Sequence, residues 1–302
     1  MDQAEKLRQV IEDLKAKQLR NRRALPAIPA KRTARVIAVT SGKGGVGKTN
    51  ISVNLAIALS EQGRRVVILD ADFGLANIDV LLGIVPRHTL LDVIKGRKNI
   101  TEILTVGPQN VRFISGGSGV EELLRLDSKQ IVRFIENISM LDRLADIIII
   151  DTGAGISDSV MSCIMAADEI LLVTTPEPTS ITDAYALIKM VSGRDRSKKI
   201  NLVVNRADSS SEAIDVQNKL VLVADRFLGL RLDPTGYIMN DDAVQKAVRQ
   251  QQPFVLAYPR SPAARNIREI STKLTGNENT GNQQQDPGVR GFFSRLVGLV
   301  RT

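Results

Sequence analysis

The chain has 302 residues, of which 43% are apolar, enough to build one large α/β domain or two small ones. A single cysteine, Cys163, excludes a disulfide framework and a cysteine-rich metal cluster, and a single histidine, His88, argues against a histidine metal site. The formal charge of +8 invites a nucleic acid or an anionic membrane as partner, but with no tryptophan and 3% aromatics there is little with which to stack bases.

The charge is unevenly placed. Residues 1–35 carry ten bases against four acids, a local +6, and residues 287–302 carry +3, which leaves the body at −1. Neither end has the apolar run of a secretory signal or a membrane span, so a cytoplasmic protein is expected.

In chain order, residues 1–23 read as an amphipathic helix. Asp2 sits at an N-cap position and Glu5 lies three residues on, while Ala4, Leu7, Val10, Ile11 and Leu14 form a stripe. A Pro/Ala-rich linker, 24–34, follows. The body, 35–274, alternates short β-branched runs with helix-length amphipathic stretches. The runs are Val36–Thr40, Val66–Leu69, Val111–Ile114, Ile147–Ile150, Ile170–Val173, Leu202–Val204 and a last one around Tyr237–Ile238. This pattern predicts an α/β fold: a single doubly wound, mostly parallel sheet flanked by helices. A polar linker, 275–288, leads to a last segment, 289–302. There Phe292, Phe293, Leu296, Val297, Leu299 and Val300 share one helical face opposite arginines, as in an interfacial membrane anchor. The alternative for that segment is a helix docked on protein.

The first strand runs into Ser41-Gly42-Lys43-Gly44-Gly45-Val46-Gly47-Lys48-Thr49, which satisfies G-x-x-x-x-G-K-[ST]. Backbone N–H groups of such a loop cradle phosphates, helped by the dipole of the next helix. Lys48 is placed to reach the β/γ-phosphates and Thr49 to ligate Mg²⁺; Lys43 adds a second positive charge. The second strand ends in Asp70 and Asp72, with Asn77 and Asp79 close behind. The fourth ends in Asp151-Thr152-Gly153, an apolar strand closed by an acid as in a metal-holding Walker B segment. Asn205-Arg206 closes a further strand, where an amide can pair with a base edge and a guanidinium can stack on it. His88 reads as a solvated side chain and Cys163 as core.

The string KGGVGKT resembles the deviant phosphate loop of the MinD/ParA ATPases. That resemblance implies ATP and Mg²⁺ as cofactors and an ATP-dependent homodimer in which Lys43 reaches the partner's nucleotide. The ATP-binding set it implies is Lys43 to Asn50 with Gly153, Asn205 and Arg206. Asp233–Asp242 resembles the adenine-flanking loop of the MinD-like ATPases. Thr49, Asp70 and Asp151 are expected at the metal, with Lys43, Lys48 and Asp72 catalytic and Asp72 orienting water. The opening Asp2-Gln3-Ala4-Glu5-Lys6-Leu7-Arg8 resembles the DQAxxLR motif of the FlhG (FleN/YlxH) branch. There the motif stimulates the GTPase FlhF, and Gln3 is the candidate to order water in the partner's site. On this resemblance Asp2, Gln3, Ala4, Leu7 and Arg8 are partner-binding. Components of the flagellar switch complex (C-ring) and an anionic membrane are further partners, and nucleic acid is not expected. The role implied is control of flagellar number and placement, from the cytoplasm and peripherally on the membrane in the ATP state. The alternatives are a ParA-type DNA-partitioning or MinD-type division-site ATPase, an iron–sulfur carrier, and a non-enzymatic scaffold. The lone cysteine argues against the carrier.

Overall fold

The computed structural model describes residues 33–72, 77–116, 122–123, 126–276 and 288–300. The amphipathic segment 1–23 with Asp2, Gln3, Ala4, Leu7 and Arg8, the linker up to residue 32, the polar stretch 277–287 and the side chain of Val300 lie outside the described residues.

The strands are β1 (Arg35–Thr40), β2 (Val66–Ala71), β3 (Thr105–Val106), β4 (Arg112–Ile114), β5 (Ile147–Thr152), β6 (Glu169–Thr174), β7 (Lys199–Ala207) and β8 (Leu232–Met239). They form one sheet in the order β3-β4-β2-β5-β1-β6-β7-β8. Every pair is parallel except β3 with β4. The seven apolar runs of the sequence each form a strand. β3 is the addition: two residues at the edge, too short to show an alternation.

The described helices are α1 (Lys48–Glu61), α2 (Asn77–Leu82), α3 (Leu90–Ile94), α4 (Ile100–Ile103), α5 (Ser128–Ile138), α6 (Leu141–Leu144), α7 (Asp158–Ala166), α8 (Pro178–Arg194), α9 (Ser210–Leu228), α10 (Asp242–Arg249), α11 (Phe254–Ala257), α12 (Pro262–Gly276) and α13 (Gly288–Val300). Alternation along the strands sorts them onto two faces. Ile37 and Val39 of β1 face the core shared with α1, α2 and α10 to α12. Val36 and Ala38 face the opposite core, built with α3 to α7 and α13. Beyond β6 that second face continues over α7, α8 and α9. Central strands buried on both faces are why their sequences are continuous apolar runs rather than alternating ones.

α13 is docked rather than presented to solvent. Val289, Phe292, Phe293 and Leu296 are buried among Phe134, Leu141, Cys163 and Ala166, Val297 is half-buried, and Leu299 is 40% exposed. Phe292 and Phe293 meet edge to face at 5.0 Å, and Phe293 meets Phe134 likewise at 5.2 Å. The face expected to be open to a membrane is therefore covered in this state. The physical reason is that the same apolar stripe gains as much from a protein groove as from lipid. Among the described residues no helix is long and apolar enough to cross a membrane.

Candidate functional site

β1, β2 and β5 lie side by side and all end at the same edge, so their carboxyl-end loops converge. Gly47 takes φ +98°, which brings the chain from β1 into α1, and a Cβ there would run into the Asn205 amide. α1 begins at Lys48 with no side-chain cap, so its first N–H groups are offered to a ligand at its mouth.

Lys48 is 8% exposed and its Nζ donates to Ser41 Oγ at 3.0 Å. Burial lowers its pKa, while the carboxylates of Asp151 and Asp72 oppose that shift. Asp151 is fully buried. The Ser52 hydroxyl donates to its Oδ1 at 2.8 Å, and its Oδ2 has no hydrogen-bond partner. In the β2–β5 register Asp151 lies directly beside Asp70. Burial raises the pKa of both carboxyls, and the charge of Asp151 raises that of Asp70 further. An orphaned carboxylate oxygen within a crowded acidic pair, next to Thr49, is a donor set that fits a hard divalent cation such as Mg²⁺.

Asp70 has a second task that the sequence did not display. Its Oδ1 accepts the N–H of Asp72 at 3.1 Å, and its Oδ2 accepts those of Asn77 at 3.2 Å and Ile78 at 3.4 Å. It therefore caps α2 and holds the backbone of Asp72. Asn77 Nδ2 donates to Asp72 Oδ2 at 3.0 Å, which steadies that carboxylate at the mouth of the site. Gly153 lies beside Asp72, and the Gly155 N–H donates to Ser41 O at 3.0 Å, tying the loop after β5 to the phosphate loop. Lys43 extends from that loop to Glu177 Oε2 at 2.8 Å and Thr179 Oγ1 at 2.9 Å, at the start of α8.

A cavity of about 330 Å³ adjoins the loop, lined by Gly47, Asn50, Asn205, Arg206, Met239 and Asn240 and by the inner side of α10. Its amide and guanidinium groups suit a flat heterocycle. Asn205 is not wholly available to such a ligand, because its Nδ2 donates to Val46 O at 2.7 Å. The structure thus adds a hold on the phosphate loop to the base contact expected of Asn205. Of the stretch 233–242, the larger part is β8, and Met239 to Asp241 reach the cavity. Asp241 is occupied in capping, accepting N–H groups from Ala243 and Ala263.

The site therefore brings together Lys43 to Asn50, Asp70, Asp72, Asp151 and Gly153, with Asn205 and Arg206 one cavity away. Ser41, Ser52, Glu177 and Thr179 were missed by the sequence reading. Ser41 and Ser52 flank the motif and could have been taken as partners of its lysine and acid. Glu177 and Thr179 lie more than 130 residues from Lys43 and carry no local signal. His88 is half-buried, 3.8 Å from Asp92, and away from the site. Cys163 is buried in the core, where burial pushes its thiol up to about 12.

The family model described as ParA, NUBPL iron-transfer P-loop NTPase, matches residues 32–275. Antiactivator FleN of Pseudomonas aeruginosa is 47% identical over 239 residues, covering 79% of this chain and 85% of its own. Flagellum site-determining protein YlxH of Helicobacter pylori is 35% identical over 271 residues, covering 88% and 91%. Among solved structures, the cell division ATPase MinD of Pyrococcus furiosus superposes with a TM-score of 0.64 at 27% identity, covering 80% of this chain and 99% of that one.

Proposed function

Because the chain belongs to the ParA family of P-loop NTPases, on the branch that holds FleN and YlxH, we propose that its ATP cycle controls flagellar number and placement. It is an ATPase, with ATP and Mg²⁺ as its cofactors. The observation that carries the mechanism is the convergence of Lys48, Asp72 and Asp151 on one phosphate loop.

In this reading the N–H groups of Gly44 to Thr49 and the Lys48 ammonium hold the phosphates. Thr49 and the free oxygen of Asp151 would hold Mg²⁺, with Asp70, whose oxygens already accept N–H groups, adding its charge beside them. When bound, Mg²⁺ neutralises charge on the phosphate oxygens. Asp72, braced by Asn77, orients the attacking water, and the Gly153 N–H meets the terminal phosphate. Arg206 and Asn205 hold the base. Lys43 leaves Glu177 and crosses to the nucleotide of a second copy, which makes the active form a homodimer.

The ends serve partners. Residues 1–23, with Gln3 at their head, stimulate the GTPase FlhF, and the body meets components of the flagellar switch complex. In the dimer α13 undocks and its aromatic face, with Leu296, Val297, Leu299 and Val300, enters an anionic membrane. Two such helices on one dimer bind far more tightly than one. The protein is then cytoplasmic and, in the ATP state, peripheral on the membrane.

Co-sedimentation with anionic vesicles and with DNA, each with and without ATP, tests this reading. ATP-dependent vesicle binding lost on removal of residues 287–302 supports it. ATP-dependent DNA binding that survives that removal overturns it in favour of a DNA-partitioning role. For the N-terminal segment, the FlhF GTPase rate with peptide 1–23 decides.

A further inference from the structure

Two carboxylates join the C-terminal helix to the place where the chain enters the central strand. Asp142 Oδ1 accepts the Ala34 N–H at 3.1 Å and the Val289 N–H of α13 at 3.0 Å. Asp168 Oδ2 accepts the Val36 N–H at 2.9 Å, and its Oδ1 pairs with the Arg295 guanidinium of α13 at 3.0 Å. One bridge stands at the start of α13 and the other near its middle, and they meet alternate residues of one short stretch, Ala34 to Val36. Gly288 fixes the first bridge. It sits at φ +88°, and a Cβ there would collide with the Asp142 carboxylate and with Thr33. Arg295 also donates to Ala166 O at 2.9 Å, at the end of α7.

We propose that these two aspartates form a relay by which docking of α13 is registered at Ala34–Val36, so that undocking loosens the entry of the chain into β1. A carboxylate held by one donor has already lost the rotamer freedom that its second bond would otherwise cost, so the two bonds support each other. When α13 leaves, Asp142 loses one of its two N–H donors and Asp168 loses its guanidinium partner. Both become free to turn toward water and away from the strand root. The state of one chain end is thereby made available at the foot of the other. The relay stands apart from any membrane or partner role, since it needs neither to operate.

Hydrogen–deuterium exchange on the full-length protein, without nucleotide, tests it. Arg295→Ala and Phe293→Ala each weaken docking and leave the carboxylates that hold the Ala34 and Val36 N–H groups in place. Exchange in 288–300 should rise at least tenfold in both variants, and exchange at Ala34–Val36 should rise with it by at least threefold, while Ile200–Val204 in β7 stays unchanged. Deprotection of α13 with an unchanged strand root overturns the relay. So does an equal rise everywhere, which would mean general loosening, and so does an unchanged α13 in both variants. None of these outcomes bears on ATP hydrolysis or flagellar control.

Discussion

Lys43 Nζ is held between Glu177 Oε2 and Thr179 Oγ1 of its own chain, at 2.8 and 2.9 Å. A lysine meant for the nucleotide of a second copy must first give up this intramolecular pair. Glu177 is solvent-exposed, so the hold is weak and readily exchanged. Replacing Glu177 with Gln should make Lys43 easier to release. The ATP concentration for half-maximal dimerisation should fall by about two- to fivefold, as read by analytical ultracentrifugation. A shift the other way would mean that Glu177 supports the dimer instead.

In the proposed mechanism Asp72 and Asn77 separate catalysis from positioning. Asp72→Ala should leave ATP binding intact and lower hydrolysis by about a hundredfold or more. Asn77→Ala removes only the brace on Asp72, and a drop of about tenfold is expected. Single-turnover phosphate release beside equilibrium nucleotide binding checks both. Equal losses would place Asn77 in direct contact with the reacting atoms.

Lys48 has a different signature. It is buried against Ser41, and in the proposed mechanism it holds the phosphates rather than water. Lys48→Ala should abolish nucleotide binding in a fluorescent-analogue titration, whereas Lys43→Ala should retain binding and lose dimerisation.

Phe293 packs edge to face on both Phe292 and Phe134. Truncation to alanine removes about 3 kcal/mol of burial from α13. If the helix leaves without the sheet unfolding, the loss should appear as a population shift of about a hundredfold toward the undocked form, with little change in the Tm of the body. Tryptic cleavage after Arg290 and Arg295 measures that shift. A large fall in Tm instead would show that α13 unfolds only with the whole.

Lys198 is a buried cation whose Nζ donates to Met165 O at 2.9 Å and to Ala167 O, at the end of α7. Burial, aided by the Arg295 guanidinium, lowers its pKa to about 8 against the opposing pull of Asp195, Asp168 and Glu169. In the unfolded chain a lysine titrates near 10.4, so between those values the unfolded state binds more protons. This group therefore makes stability rise with pH from about 8 toward 10, by up to about 1.4 kcal/mol per unit. Below pH 8 its unfavourable contribution is constant and largest. Urea unfolding of the native chain and of Lys198→Met across that range should differ by this slope. Parallel curves would rule the group out as its source.

The architecture was legible because its causes are local. Doubly covered strands must be continuous apolar runs, and a phosphate loop must carry glycine where φ turns positive, as at Gly47. The aspartates at the strand ends could be found for the same reason. What stayed hidden depends on residues far apart in the chain. Nothing near Lys43 announces Glu177, and nothing near Asp70 says that its Oδ2 will cap α2. β3 is too short to carry a period. The fate of α13 was undecided for another reason, since an amphipathic face with arginines opposite is the same pattern whether its partner is lipid or Phe134.

The shared oxygen of Asp142 has a topological consequence. Two backbone nitrogens bonded to one atom, those of Ala34 and Val289, lie no more than about 6 Å apart, a gap that two or three residues can span. With α13 docked, the folded body is thus nearly a closed ring of chain. Joining residue 288 to residue 34 through such a linker, which leaves out residues 1–33 and 289–302, and opening the ring at the exposed turn around Gly63 should give a circular permutant of the body with the same sheet order.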